Sequence, residues 1–284
     1  MDCPCKVQGT GRGMLRFLAL IMASGLTVPA WGADVFSEPP VEPAGYGAPA
    51  ADDDVDVIFY LGAAVGVSPR YDGADDYIVY PYPLLAVSFL RLPGIGEVGS
   101  REGTTRGFFI YPSFRFIGER NASDNAALTG LNTVDWALEA GFGVGYRYEW
   151  LRGFTTVRYG FNGYNGWIAE FGADAVWDVN DRLQLSLGPR LSIAGDEYMD
   201  TYFGVTPAES AASIFPVYDP DAGMRAVGVD AILQYDFNDD WRGILELGYE
   251  HLVGDAEDSP ILSVGSADQF SAGIGLTRKF SLDF

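Results

Sequence analysis

Past residue 56 the chain alternates apolar and polar positions with a period of two, over stretches of roughly 10–15 residues separated by turns. In Trp167–Val179 the odd positions are Trp167, Ala169, Phe171, Ala173, Ala175, Trp177 and Val179, while the even ones include Glu170, Asp174 and Asp178. Leu183–Ile193 sets leucines at 183, 185, 187 and 191 against Gln184, Ser186, Arg190 and Ser192. Val227–Phe237 and Val134–Trp150 repeat the pattern. Side chains on a strand point alternately to opposite faces, so each segment has one apolar wall and one polar or glycine wall. Strands of soluble sandwiches are usually shorter, near ~5–6 residues. These are long enough to cross a bilayer at a tilt. Charges in mid-strand opposite a fully apolar wall suit a barrel with lipid outside and a wet or charge-paired lumen.

The pattern predicts an all-β fold, an up-and-down transmembrane β-barrel of about ten antiparallel strands: 56–68, 77–90, 106–117, 134–148, 152–164, 166–178, 182–194, 223–237, 241–253 and 267–281. Pro81 and Pro83 make the second strand irregular, and residues 91–105 leave room for another pair, so twelve is the alternative count. Short turns at Glu149–Arg152, Asp178–Asp181 and Asn238–Asp240 alternate with long loops at Gly118–Thr133, Gly195–Ala222 and Gly254–Ala267. Asn162–Gly166 on the long-loop side and 91–105 on the other break that rule. Outer-membrane barrels put short turns in the periplasm and long loops outside. Trp150, Trp177 and Trp241 fall near the short turns, and Trp136 and Trp167 near the long loops, as headgroup-level girdles require. The last strand sets Phe270, Ala272, Ile274, Leu276, Phe280, Leu282 and Phe284 on one face, broken only by Arg278, and ends on an aromatic.

Met1–Ala30 reads as a secretory signal. Lys6, Arg12 and Arg16 precede the mostly apolar Phe17–Val28, and Val28 with Ala30 fits small-x-small cleavage. Cleavage after Ala33, a start at Met14 and a retained membrane anchor are the alternatives. Both cysteines, Cys3 and Cys5, lie in this segment, so the exported chain is expected to have no thiol chemistry. Residues 31–55 read as a disordered acidic linker, with Pro39, Pro40, Pro43 and Pro49, and a docking tail for a basic partner is its functional alternative. The barrel is assigned to 56–284.

Charge narrows the function. Eighteen Lys and Arg against 39 Asp and Glu give −21, and removing the signal takes away +2 and leaves −23. Such a chain is no nucleic-acid binder, because phosphate needs a basic face. A single histidine rules out multi-histidine metal sites, and no cofactor or metal motif is present. Parity turns Glu139, Glu170, Asp174, Asp230, Glu246 and Glu250 inward, with Arg115, Arg147, Arg158, Arg190 and Arg242. Cross-lumen ion pairing that fills a narrow barrel is one reading. A cation-preferring pore or small-molecule site is the other. His251 falls on the lipid row at a strand end, and Ser259 lies eight residues on in a loop; no third group makes them a catalytic pair.

Three stretches go beyond architecture. Tyr202-Phe203-Gly204-Val205-Thr206 is followed by Glu209-Ser210 and Tyr218. Leu252 precedes Asp258-Ser259-Pro260. Gly62–Tyr71 leads to Tyr80-Pro81-Tyr82-Pro83. Their order and spacing resemble the MltA-interacting protein (MipA)/OmpV family of outer-membrane proteins over most of residues 56–280. The chain departs from that family in its acidic linker and in the added Ser281-Leu282-Asp283-Phe284. The resemblance implies a non-enzymatic outer-membrane protein in contact with lipid. The name-giving member is similar to a scaffold that joins a lytic murein transglycosylase to a peptidoglycan synthase, and other members are surface antigens or adhesins. It brings no catalytic residue. Tyr202–Thr206 and Asp258–Pro260 fall in long loops, where packing of loop on barrel competes with a recognition surface as their role.

Overall fold

The computed structural model describes residues 33–36, 55–92, 96–99, 107–122 and 125–283. Ten long strands follow the expected pattern. They are β2 (Val57–Pro69), β3 (Tyr77–Leu92), β5 (Gly107–Ile117), β6 (Ala137–Tyr148), β7 (Leu151–Asn162), β8 (Trp167–Asn180), β9 (Leu183–Ala194), β10 (Gly223–Asp236), β11 (Trp241–Leu252) and β12 (Asp268–Leu282). Two four-residue strands join them, β1 (Ala33–Phe36) and β4 (Gly96–Gly99). β1 falls inside the stretch expected to be a linker: Ala-Asp-Val-Phe holds none of its prolines and lies along β5. The expected signal segment and most of the linker lie outside the described residues.

All twelve strands form one antiparallel sheet in the order β1-β5-β6-β7-β8-β9-β10-β11-β12-β2-β3-β4. The sheet curls until its ends approach, β1 coming near β3 and β4 near β5. Ladder pairing of β12 with β2 joins the last strand to the first long one, with Thr277 opposite Gly62. Pro81 and Pro83 do not interrupt β3. They oppose Val65 and Ala63 of β2, along a stretch whose other side carries no ladder among the described residues, so the missing N–H groups break no pairing there. Among the described residues no helix is long and apolar enough to cross a membrane; strands do the crossing.

Burial runs opposite to that of a water-soluble domain. Ile110, Phe142 and Ile274 are 61–66% exposed, while Glu139 is 0% and Arg158 1% exposed. An apolar outer wall around a polar interior is the arrangement hydrocarbon demands. Trp136, Trp150, Trp167, Trp177 and Trp241 are all exposed near strand ends, at the girdle positions the pattern assigned them.

The turns between β6 and β7, β8 and β9, and β10 and β11 are short. The loops at the other end fold into a cap. The β9–β10 loop forms two helices, α1 (Asp196–Phe203) and α2 (Pro207–Ala212). Thr206 and Glu209 make a reciprocal capping box at the start of α2. Tyr198, Met199, Tyr202 and Phe203 of α1 are buried with Tyr164, Ile168, Ala194, Ala226 and Leu252 at the barrel mouth. Tyr71, Ala74, Leu128, Val205, Phe215 and Ile261, each from a loop, form a second cluster.

Candidate functional site

The lumen is built by strand register. Residues directly opposite on neighbouring strands come close enough for side chains to pair. Arg115 thus faces Glu139, Arg152 faces Asp174 and Arg242 faces Asp236. Arg115 stands 3.8 Å from Glu139. Arg158 reaches both Glu139 and Glu170 at 2.8 Å. Arg190 donates to Asp174 at 2.6 Å and lies 2.8 Å from Asp230. Arg152 joins the same Asp174, its Nε donating at 3.0 Å, and Arg242 donates to Asp236 at 2.6 Å. Glu246 accepts from the Tyr82 hydroxyl at 3.2 Å. Glu139, Glu170, Asp174 and Asp230 are thus held by arginine bridges, and Glu246 by a tyrosine hydroxyl. A buried carboxylate without such a partner would be neutralised or very costly.

Aromatic rings fill space between the charges. A Cβ at Gly143 would stand 2.1 Å from the Tyr111 ring, and one at Gly172 equally close to Phe154. These inward glycines leave room for the ring of the next strand. The Tyr111 hydroxyl meets Thr156 Oγ1 at 2.7 Å, and Arg190 lies over Phe154 at 4.9 Å.

Polar contacts tie the cap to the wall. The Tyr198 hydroxyl donates to Asp72 Oδ2 at 2.7 Å, and Arg225 donates to the same oxygen at 3.1 Å and to Glu250 at 2.9 Å. Burial alone would push the Asp72 carboxyl up, but Arg225, Arg115 and the Tyr198 hydroxyl outweigh it and hold Asp72 below the ordinary aspartate range. Burial, reinforced by the Asp72 charge, pushes the Tyr198 phenol well above its ordinary range, so it stays a donor. Arg120 donates to the carbonyls of Tyr202 (2.6 Å) and Thr201 (3.2 Å), which satisfies the open C-terminal end of α1 where the helix dipole favours a cation. The Tyr164 hydroxyl donates to Glu139 at 2.7 Å.

The family-like motifs lie in this cap. Tyr202 and Phe203 are buried on α1. Gly204 ends the helix, and a Cβ there would stand 2.5 Å from the Asp200 carbonyl. Val205 pairs backbone to backbone with Tyr218, whose hydroxyl donates to the Asp255 carbonyl at 2.9 Å. Ser259 donates to the Phe203 carbonyl at 2.7 Å, and Pro260 starts the 3-10 turn Pro260–Val264 that Ser259 caps. Asp258 is exposed, its N–H donating to Gly254. Tyr80 and Tyr82 set their rings 5.8 Å apart, tilted by 41°, inside the lumen.

Ser259 and His251 are engaged elsewhere and apart. Ser259 binds Phe203 and Ile261, while His251 lies 2.8 Å from Asp268 and 3.7 Å from Glu257. Among the described residues no cluster of His, Cys, Asp or Glu could hold a metal.

Parity missed one main residue. It puts Arg225 on the lipid row with Val227 and Val229, yet Arg225 is 1% exposed inside the lumen. The register slips between Met224 and Ala226, and that bulge turns it inward. Under the cap and among the ion pairs lies a cavity of about 190 Å³ lined by Tyr202, Tyr198, Asp72, Arg115, Asp230 and Glu246 among others.

The profile of the family described as MltA-interacting protein MipA matches residues 61–280. That match stops where the added Ser281–Phe284 begins, and Ser281 and Leu282 extend the ladder with β2. A comparison with curated proteins finds no match. Among solved structures, an outer membrane channel from Pseudomonas putida F1 is 12% identical, covering 83% of this chain and 99% of its own, with a TM-score of 0.41. The CymD monoaromatic hydrocarbon channel is 8% identical, covering 90% and 100%, with a TM-score of 0.37. The NanC porin is 10% identical, covering 78% and 100%, also at 0.37.

Proposed function

The chain belongs to the MltA-interacting protein MipA family, and we infer from that membership that it is a non-enzymatic outer-membrane barrel anchoring murein-processing enzymes, a lytic transglycosylase and a peptidoglycan synthase, at its periplasmic face. The observation that carries this reading is the stoppered lumen. Tyr198 on Asp72, Arg120 on the end of α1, and Ser259 on Phe203 fix a cap over the mouth, and arginine bridges cross the space beneath it. A barrel filled in this way supports a role for its outer surfaces more than for its bore. The short turns offer a firm docking edge beside the paired ends of β12 and β2, and the acidic stretch that the sequence marks as a docking tail is the other candidate contact.

A pull-down from envelope extract tests it, using the exported chain with and without residues 34–56 and an unrelated barrel as control. Enrichment of lytic transglycosylase over the control supports the reading. No enrichment with either form rejects it. Planar-bilayer recording is expected to be silent; discrete cation-selective steps would favour a pore instead.

A further inference from the structure

The lipid row of β12 carries a charge near each of its ends. Asp268 and Arg278 lie on that face, with Phe270, Ala272, Ile274 and Leu276 between them. The stretch from Asp268 to Arg278, at about 3.3 Å per residue and a tilt of about 40°, covers about 25 Å of bilayer, the height of the apolar band of an outer-membrane barrel. The two charges therefore stand at opposite headgroup levels. Asp268 is satisfied within the protein: the Tyr249 hydroxyl donates to it at 2.7 Å, and His251 lies 2.8 Å away. Arg278 is exposed and has only aromatic neighbours, its guanidinium lying 5.8 Å from the Trp241 ring and 5.5 Å from the Phe280 ring. Among the described residues no carboxylate or carbonyl accepts from it, Asp239 and Asp240 of the neighbouring turn included. Trp241 is its partner in the β11–β12 ladder and opens β11 directly after that short turn. The Phe280 ring is itself stacked on Phe59 of β2 at 5.3 Å, so the aromatic surround spans three strands.

A cation on the lipid face is tolerated at the edge of the band, where its head reaches the polar layer. Rings beside a guanidinium hold it by cation–π attraction and leave its N–H donors open. The anion that a bilayer offers at this level is the phosphodiester of a phospholipid, whose oxygens match the planar guanidinium fork. Toward the bilayer middle Leu61, Leu276 and Ile274 are 43–66% exposed, a bare surface for the acyl chains of the same molecule. We propose that Arg278, flanked by Trp241 and Phe280, binds the phosphate of a phospholipid in the leaflet on the short-turn side. The site rests on the lipid-facing wall and is independent of enzyme anchoring.

The test is native mass spectrometry of the full exported chain, refolded in detergent and titrated with dioleoylphosphatidylglycerol. Dioleoylglycerol serves as the same lipid without its phosphate, and inorganic phosphate as competitor. The parent should retain phosphatidylglycerol about tenfold more tightly than dioleoylglycerol, and millimolar phosphate should not displace it. Arg278→Ala should bind phosphatidylglycerol about tenfold more weakly, down to the level of dioleoylglycerol. Arg278 touches only exposed rings, so the alanine variant should keep the heat-dependent gel shift of a folded barrel; should it not, Arg278→Gln replaces it. Equal retention of the two lipids by the parent overturns the site, as does unchanged retention in the folded variant. Displacement by inorganic phosphate overturns it in favour of a free anion. A parent chain without the gel shift overturns the lipid-facing wall, and the site with it.

Discussion

Ser259 donates its hydroxyl hydrogen to the carbonyl oxygen of Phe203 at 2.7 Å, across 56 residues of sequence. The contact joins two loop motifs, one ending α1 and the other starting a 3-10 turn. Both partners are buried, at 3% and 0% exposure, so water cannot replace the bond when one is removed. Ser259→Ala should cost about 1–3 kcal/mol and loosen the cap without opening the barrel. Limited proteolysis checks this: the variant should be cut in 195–222 while its strands stay protected. Equal resistance of variant and parent would show that the bond holds nothing.

Arg158 is the centre of a different tie. It is 1% exposed and held between Glu139 and Glu170, so Arg158→Ala takes the shared cation from two buried carboxylates and leaves Glu139 to Tyr164 and Arg115. Breaking a buried pair on one side costs about 3–5 kcal/mol, whereas replacing all partners together costs far less. Urea unfolding in lipid vesicles should show a large loss for Arg158→Ala. Adding Glu139→Gln and Glu170→Gln should restore part of it.

The Tyr111 ring occupies the space a side chain at Gly143 would need. Gly143→Val should therefore displace the ring from its hydroxyl contact with Thr156 and cost about 1–3 kcal/mol or more. Pairing that change with Tyr111→Ala should recover part of the loss in the same unfolding assay.

Acid should release the cap through Asp72. Its carboxyl is held below the ordinary 3.8 by Arg225, Arg115 and the Tyr198 hydroxyl, after burial is overcome. A carboxyl with a lowered folded value stabilises fully above its unfolded value, and that contribution disappears as pH falls through the folded one. Cap protection against protease should thus be flat above about pH 5 and decline only below the ordinary aspartate range. Asp72→Asn should show weaker protection at neutral pH and a smaller decline on acidification.

Strand positions were legible because lipid punishes any break in an outward apolar row, and ten segments kept to it. Glu139, Glu170, Asp174, Asp230 and Glu246 turn inward by the same parity. Arg225 was not legible, because a one-residue bulge reverses parity locally. An arginine standing alone in the row of Val227 and Val229 was nevertheless the available sign, since hydrocarbon would not accept it. Helix α1 was hidden for another reason. It has eight residues and no side-chain N-cap, and its burial depends on Tyr164, Ala226 and Leu252 from three other parts of the chain. Tyr198 and Asp72 meet across 126 residues, a separation that no local pattern encodes.

The ladder between β12 and β2 sets the order in which this molecule can be made. Because Leu282 pairs with Val57, the cylinder waits for the end of the polypeptide to be delivered. Until then β2 exposes a bare margin able to seize any passing strand. Chains shortened by a dozen residues would lose most of β12 and reach the membrane with the margins of β11 and β2 bare and no means of sealing them.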